Sequence, residues 1–277
     1  MPELPEVERG RRIAAEVAEG RVITRVRCPD DRIVIEDVAP RTLARKLTGR
    51  LVEKVRRRGK QLWFELDEAP MPLFHFGMTG AFHVPDAPHL PLEAGIDPGQ
   101  HWPPRFWKIQ IDFEDGGRLA MTSARRLGRI RLRQDPMNEP PISRLGFDPL
   151  LDMPTPAAFA RLVSGRHVTL KGLLLDQGFA AGVGNWIADE VLFQAALDPR
   201  RRADSLDDTE IRAMRRCLGK VIRAAVRVNA DKKRFPRSWL FHHRWGRPSD
   251  ASLPDGRRIE HLTVAGRTTA WVPSQQH

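Results

Sequence analysis

Residues 176–193 read DQGFAAGVGNWIADEVLF, a glycine-rich turn that leads directly into a segment of helical character. Backbone N–H groups in such a turn, and at the start of the helix behind it, point towards an anion. Asn185 is the first residue of the predicted helix. On its own, a Gly-x-Gly-Asn helix start is more often a simple turn than a phosphate site, so this stretch leaves both interpretations open.

The chain begins with MPELPEVE, and removal of Met1 would leave the Pro2 amine as the chain end beside two glutamates. An amine attacks electrophilic carbon and can form an iminium ion, and a terminal amine titrates closer to neutrality than a lysine does. The alternative is a helix start, since proline needs no N–H there and acidic residues complement the helix dipole. Taken alone, the octet favours the helix start.

The charge of the chain points to a polyanionic partner. Among 277 residues, 46 are Lys or Arg and 35 are Asp or Glu, which gives a formal net charge of +11. A net positive charge of this size suits a polyanionic partner such as nucleic acid and would make the binding salt-dependent. Ribosomal and membrane-surface proteins share this charge. No apolar stretch approaches about 18 residues and no basic-then-apolar leader is present, which predicts a cytoplasmic protein, nucleoid-associated if it is bacterial.

Cysteine usage argues against a structural metal. Cys28 and Cys217 are the two cysteines of the chain, so neither a disulfide framework nor a four-cysteine zinc site can be built. The pair His242-His243 with His261 lacks a fourth ligand at regular spacing and is more typical of surface histidines. We therefore expect no structural metal.

Hydrophobic periodicity predicts a strand-rich first half. Helices are predicted at 3–18 and 41–47, because apolar residues recur at helical spacing and glycines follow as stop signals. Short alternating runs separated by turn residues predict a β-sandwich flanked by the first helix. The predicted strands are 21–27, 32–36, 51–57, 61–66, 73–76, 109–113, 118–122 and 128–133.

A proline-rich stretch marks a predicted linker at 136–155, between a β-sandwich domain at 1–135 and a second domain at 156–277. The second domain is predicted to be helical, and its last helix starts near Ser205. Alternation returns at the end of the chain and predicts a small β-hairpin in a finger at about 240–277. The predicted helices are 156–163, 170–175, 185–196 and 205–228.

Three of these stretches resemble the formamidopyrimidine-DNA glycosylase and endonuclease VIII family of base-excision repair enzymes. The first eight residues match the family's opening, and 176–193 resembles its helix-two-turn-helix signature. The end of the chain resembles the zinc-free finger of the plant and fungal branch, through 244–247, Ile259 and 263–273. The resemblance implies an α+β fold with an N-terminal β-sandwich and flanking helices, and a helix-two-turn-helix domain that ends in a zinc-less β-hairpin.

The resemblance also implies a catalytic set. The Pro2 amine would be the nucleophile, and Glu3, with Glu6 beside it, would supply a proton to the opening sugar. Lys60, which follows the basic turn 56–59, would contact the lesion phosphate and serve as an acid-base partner. Arg267 on the hairpin would hold phosphates that flank the lesion. Without the resemblance, both basic sites are more typical of solvated surface.

The implied DNA-binding set surrounds an everted nucleotide. Met78 would enter the gap that the nucleotide leaves, with His75 near the DNA backbone. Arg125 would pair with the orphaned base, while Leu127 replaces the family's phenylalanine wedge and Ser123-Ala124 replace its Asp-Pro; an apolar wedge can still unstack a base step. The implied DNA-binding residues are His75, Met78, Arg125, Leu127, Lys171 and Asn185.

These features together predict a monomeric, bifunctional DNA glycosylase and AP lyase that acts on damaged double-stranded DNA without a cofactor. The segment 229–238 is short and charged where family members that excise 8-oxoguanine well carry a long lid. We therefore expect formamidopyrimidines and further-oxidised guanine to be preferred over 8-oxoguanine.

The finger is expected to hold by packing of Trp245, Ile259, Leu262 and Trp271. Two alternatives stay open, namely a non-catalytic damaged-DNA-binding protein of the same fold and an RNA-binding or ribosome-associated protein.

Overall fold

The computed structural model describes residues 2–85, 101–246 and 251–277. The chain forms two compact units, Met1–Arg144 and Leu145–His277. The division falls inside the proline-rich stretch. Within the described ranges, no helix is long and apolar enough to cross a membrane.

The described part of the first unit, residues 2–85 and 101–144, is an antiparallel β-structure with two α-helices. Its eight strands pair in the order β5-β7-β6-β1-β2-β3-β4-β8. Strand β1 pairs with β2 through its first two residues and with β6 through the rest, so the strands form a sandwich-like arrangement around one core. The elements are α1 (Leu4–Ala18), β1 (Arg21–Arg27), α2 (Pro40–Leu47), β2 (Leu51–Arg58), β3 (Gln61–Leu66), β4 (Met71–His75), β5 (Ala81–His83), β6 (Trp107–Phe113), β7 (Arg118–Thr122) and β8 (Arg129–Arg133).

Aromatic packing fixes α1 on this core. Phe74 and Phe76 each contact Phe82, with ring centroids 5.2 and 5.1 Å apart. Helix α1 crosses the cluster at Gly10, where an added Cβ would lie 2.7 Å from the Phe76 ring. Only glycine allows this approach, because interiors are packed too densely for a ring to move aside. The start of α1 is thereby held near the end of β4.

Most predicted elements of this unit are confirmed to within two residues, and two differ. Residues 32–36 are turns with one isolated bridge, Ile35 to Ile130, so the predicted strand is wrong. The Asp31 carboxylate accepts the N–H groups of Ile33 and Val34 at 3.2 and 3.3 Å, and such local bonds compete with a strand ladder. Strand β5 was not predicted because three residues show no usable alternation.

The second unit contains α3 (Pro156–Ser164), α4 (Leu170–Leu175), α5 (Asn185–Gln194), α6 (Asp208–Arg227), β9 (Glu260–Val264) and β10 (Arg267–Trp271). Helix α6 starts three residues later than predicted, because Asp207 and not Ser205 caps it and Glu210 completes a capping box. Strands β9 and β10 form the predicted hairpin around Ala265 and Gly266, which both have positive φ. The α+β fold class is confirmed.

Apolar packing holds the hairpin on α5. Ile259, Ala270 and Val272 are buried with Phe193 of α5 in one cluster, and Trp271 is also buried. Trp245 packs edge-on against Phe241 with ring centroids 5.4 Å apart, although it is 38% exposed, and Leu262 is partly buried.

Candidate active site and nucleic-acid interface

The start of α1 brings two glutamates together at Pro2. Glu3 is the N-cap residue of α1 and is buried, as is Pro2. The Glu3 N–H donates to Glu6 Oε2 at 2.9 Å. Burial, together with the neighbouring Glu3 carboxylate, raises the pKa of Glu6 to about 7. A carboxyl group with such a pKa can give or accept a proton near neutrality. The first residues therefore do start a helix. The same helix start also holds the two acids that a nucleophilic Pro2 amine needs beside it.

A buried ion pair links α1 to the turn that presents Lys60. Arg57, at the end of β2, donates to Glu8 of α1 at 3.0 Å and to the Gly59 carbonyl at 3.0 Å. Gly59 has φ +56° and makes the tight turn into β3. Lys60 follows it and is half-buried. The Glu8–Arg57 pair thus sets the position of the Lys60 turn relative to α1.

His75 lies beside this turn as a neutral imidazole. It pairs with Gln61 across β3 and β4, next to Lys60. Burial, together with the positive charges of Lys60, Arg131 and Arg129, lowers the pKa of His75 to about 4. Its Nδ1 accepts the Gly77 N–H at 3.2 Å, which leaves the proton on Nε2. His75 can therefore donate a hydrogen bond from Nε2.

The turn that carries Met78 touches the loop that carries Leu127. Gly77 has φ +62°, and a Cβ there would lie 2.4 Å from the Leu127 carbonyl. Met78 is partly exposed, Arg125 is exposed, and Leu127 is 40% exposed. The two candidate intercalating side chains and Arg125 therefore come from adjoining segments.

Asp31 holds this loop through Arg126. Arg126 has φ +54° and donates to the Asp31 carboxylate at 2.9 Å, and Lys108 donates to the same carboxylate at 2.7 Å. Burial alone would raise the pKa of Asp31, but the hydrogen bonds from Arg126 and Lys108 outweigh it and hold the pKa at about 2. The Ser123 hydroxyl closes the loop by accepting the Gly128 N–H at 3.0 Å. Ser123 thus takes part in the loop's structure where the family motif has aspartate.

In the second unit, Asn185 and Arg267 lie close together. Asn185 opens α5, and its side-chain amide donates to the carbonyl of Thr268 at 2.9 Å. Thr268 is the neighbour of Arg267, whose side chain is exposed at the start of β10. A helix N-terminus with a guanidinium next to it is an arrangement that can bind an anion.

The sequence comparisons agree with this geometry along almost the whole chain. Residues 1–130 match the formamidopyrimidine-DNA glycosylase N-terminal domain, and residues 145–236 match the H2TH domain. The chain belongs to the formamidopyrimidine-DNA glycosylase family. Residues 239–273 match the formamidopyrimidine-DNA glycosylase-like C-terminal domain.

Two curated relatives named formamidopyrimidine-DNA glycosylase illustrate the similarity. One from Arabidopsis thaliana is 41% identical over 277 residues, which cover this whole chain and 71% of that protein. One from Paracoccus denitrificans is 32% identical and covers 99% of both chains. The crystal structure of the Lactococcus lactis enzyme, bound non-covalently to DNA with an AP site, shares the fold with a TM-score of 0.79, 24% identity and 99% coverage of both chains.

Lys171 requires a correction to the role that the family resemblance implied. Its side chain is fully buried and forms an ion pair with Asp189, and its Nζ donates to the Asn185 carbonyl at 3.3 Å. A phosphate could reach the ammonium only if this pair opened. We therefore assign Lys171 to positioning the start of α5 instead of contacting DNA.

Asp189 is a site residue that the sequence did not reveal. Besides Lys171, its carboxylate accepts from Arg244 Nε at 3.1 Å and from the Ala270 N–H of β10 at 3.2 Å. Lys171, Asp189 and Arg244 form what we call the Asp189 cluster, which joins α4, α5 and the hairpin. A sequence signal did exist, since an acid four residues after Asn185 interrupts a largely apolar helix. Arg247 of the finger motif and Met1 lie outside the described residues.

Proposed function

We propose that the protein is a DNA glycosylase of base-excision repair that removes oxidised purines and then cleaves the abasic strand as an AP lyase. Membership of the formamidopyrimidine-DNA glycosylase family over the full chain carries the glycosylase assignment. The lyase assignment is supported by the placement of Pro2 beside Glu3 and Glu6. The partner is damaged double-stranded DNA, as in the DNA complex of the Lactococcus lactis enzyme.

The proposed chemistry begins once Met1 is removed and the damaged nucleotide is turned out of the stack. The Pro2 amine attacks C1′ of the deoxyribose, and the bond from C1′ to the base breaks as the base leaves with the proton that the amine gives up. Glu3 protonates the ring oxygen, so that the sugar opens and an iminium ion forms between Pro2 and C1′. Loss of a C2′ proton then expels the 3′ phosphate, and a second elimination expels the 5′ phosphate.

The other residues position DNA and move protons in this proposal. Glu6, with a pKa of about 7, accepts a hydrogen bond from the Glu3 N–H and can pass a proton to the Glu3 carboxylate. Lys60 contacts the lesion phosphate, and the neutral His75 donates a hydrogen bond to the backbone. Asn185 and Arg267 hold flanking phosphates. A non-catalytic damage-binding protein is not favoured, because the amine-bearing residue and both acids are in place.

A single-turnover assay tests the proposed function directly. Processed protein is incubated in excess with duplex DNA that carries a formamidopyrimidine, and base release and strand cleavage are followed separately. We expect both, with phosphate at the two new ends. Binding without either product would contradict the proposal and favour the damage-binding alternative.

Substrate choice is expected to disfavour intact 8-oxoguanine. The segment after α6 forms a tight turn at Asn229 and a short 3-10 helix at Lys232–Arg234, and Phe235 packs on Trp186 with ring centroids 5.6 Å apart. It leaves no long loop to cover an everted purine, and unmade hydrogen bonds to a buried polar edge weaken discrimination. Single-turnover rates on matched duplexes should be at least about tenfold higher for formamidopyrimidine. Equal rates would refute the loop argument.

Chelators are expected to leave the protein unchanged. Among the described residues, no group of three or more His, Cys, Asp or Glu is arranged to hold a metal ion, and the hairpin is held by packing and by the Asp189 cluster. Unfolding midpoint and cleavage rate should therefore be the same with and without EDTA, because no ligand bond contributes to folding. Elemental analysis that finds about one zinc per chain would overturn this prediction.

Replacement of Asp31 is expected to weaken discrimination between bases opposite the lesion. In Asp31→Asn, Arg126 loses its charged partner, and hydrogen bonds to charged groups contribute about 1.5–3 kcal/mol each. Arg125 and Leu127 would then be less ordered. The ratio of kcat/KM for lesions opposite cytosine and opposite adenine should move towards one.

Asp30→Asn is the matched control for this prediction. Asp30 precedes Asp31 and is 80% exposed, with Arg32 3.7 Å away. Its replacement changes the charge equally but leaves the Asp31–Arg126 contact intact. If both variants alter the ratio alike, net charge and not loop position explains the effect.

A further inference from the structure

Helix α6 carries a continuous line of positive charge. Between residues 211 and 230 there are six Lys or Arg residues and no Asp or Glu. Five of the six are exposed. At 100° per residue, these five fall within an arc of about 80° on the helix surface. We call them the α6 basic stripe, which consists of Arg212, Arg216, Lys220, Arg223 and Arg227.

The stripe faces away from the rest of its unit. The buried side of α6, from Ile211 to Val226, packs against α3 and α5. On the helix surface its centre lies about 180° from the centre of the stripe. The stripe is therefore on the side of α6 opposite to α5, the helix that carries Asn185 at its start.

Most of the stripe lacks the close carboxylate partners that several other exposed arginines have. Arg200, Arg202 and Arg257 each lie 2.6–2.8 Å from an aspartate two positions away. Within the described ranges, Arg212 is the one stripe residue with a recorded ion pair, at 3.8 Å from Asp208.

Folding of the helix does not account for the stripe. Like charges three and four residues apart destabilise a helix. The helix dipole favours cations in the last turn, which covers Arg227 but not Arg212, Arg216 or Lys220.

The chemistry of the stripe fits a nucleic-acid backbone. It runs from Arg212 to Arg227, a rise of about 22 Å along the helix axis, and duplex DNA presents one negative charge per about 1.7 Å of its axis. Protein partners require buried aromatic or aliphatic anchors, and membrane-surface helices require an apolar face. The large exposed hydrophobic side chains of the described residues include none on α6. A partner that offers phosphates alone is the best match.

We propose that the α6 basic stripe binds the phosphate backbone of undamaged duplex DNA, on a segment separate from the one held by Asn185 and Arg267. The inference rests on the proposed function only in taking duplex DNA as the partner. A second contact of this kind retains the protein on DNA between lesions without taking part in the chemistry. It requires no change at the residues of the candidate active site.

The test compares two triple variants of the full-length protein. In the first, Arg216, Lys220 and Arg227 are each replaced by Gln, which has a similar helix propensity. In the matched control, Arg21, Arg27 and Arg202, which pair with Asp115, Asp112 and Asp204, are replaced by Gln. Both variants lose the same charge. Affinity for an undamaged duplex is measured as a function of salt, with thermal unfolding as a check of folding.

We expect the stripe variant to lose roughly 0.9 from the salt slope for each phosphate contact, about 2.7 in all, and at least about tenfold in affinity at low salt. The control should change by less than half as much. Arg216→Lys with Arg227→Lys should bind like the wild type. Equal salt slopes for the two triple variants would overturn the proposal.

A second measurement addresses the separate segment. Protein saturated with a short duplex that carries a stable abasic-site analogue is mixed with a labelled, undamaged duplex. The wild type should bind the second duplex, and the stripe variant should not, while both cleave an abasic duplex at the same rate when protein is saturating. Failure of the wild type to bind a second duplex would overturn the proposal. Failure of the wild type to cleave would instead contradict the proposed function. The proposal that the stripe binds DNA would then be tested by the salt slopes of the two triple variants.

Discussion

Removal of Met1 is expected to change borohydride trapping on abasic-site DNA from undetectable to nearly stoichiometric. With Met1 present, the Pro2 nitrogen belongs to a peptide bond, and its lone pair is delocalised into the carbonyl. Without Met1 it is a secondary amine that forms an iminium ion with C1′, which borohydride reduces to a stable amine. The measurement is the fraction of protein in a covalent DNA complex on a denaturing gel.

The control is the same protein with Met1 retained, its N-terminus verified by mass spectrometry. It should fold normally and bind abasic DNA, because Glu3, Glu6 and the start of α1 do not depend on processing. If it traps as efficiently as the processed form, a lysine is the nucleophile and the assignment of Pro2 is wrong.

The second large effect is expected on replacement of Asp189. Its side chain is fully buried, and Asp189→Ala would leave Lys171 and Arg244 buried without their carboxylate. Removal of one partner from a buried ion pair costs about 3–5 kcal/mol of folding free energy. The hairpin should also be held less firmly on α5, because the bond from the Ala270 N–H is lost while the apolar packing remains. Denaturant unfolding measures the first effect, and DNA affinity measures the second.

Two further variants sharpen this prediction. Asp189→Asn keeps an acceptor for the Ala270 N–H but removes the charge, so it should lie between the wild type and Asp189→Ala. Asp255→Ala removes an aspartate from an exposed pair with Arg257 on the same unit, and its effect should be much smaller. An Asp189→Ala protein as stable as the Asp255→Ala protein would show that the hairpin is held by apolar packing alone.

Local pattern was enough to locate most of the secondary structure. Strands such as β3 and β7 have the predicted bounds because alternation and flanking turns depend on neighbouring residues only. The same holds for α4 and for the hairpin turn at Ala265 and Gly266. The family resemblance, carried by short contiguous motifs, is confirmed by the comparisons for the same reason.

The predictions for residues 32–36 and for Lys171 both differ from the structure because of contacts with residues far away in the chain. Residues 32–36 contain a β-branched apolar run that is typical of a strand, yet the preceding Asp31, which pairs with Lys108 and Arg126, draws two of their N–H groups into turns. Lys171 resembles a solvent-exposed DNA contact until Asp189 and its burial are known. Lys108, Arg126 and Asp189 lie far in sequence from the residues that they contact, and periodicity carries no information about such pairs.

The amino-acid sequence by itself determined the family, the α+β class and the identity of the candidate catalytic side chains, because motifs and periodicity are local properties. Only the tertiary structure decided how those side chains are held. It placed Arg57 between Glu8 and the Lys60 turn, Asp31 behind the loop of Arg125, and Asp189 between α5 and the hairpin. A buried charge is stable only beside a partner of opposite charge or a hydrogen-bonding group. In this protein such partners come from segments that are distant in the sequence.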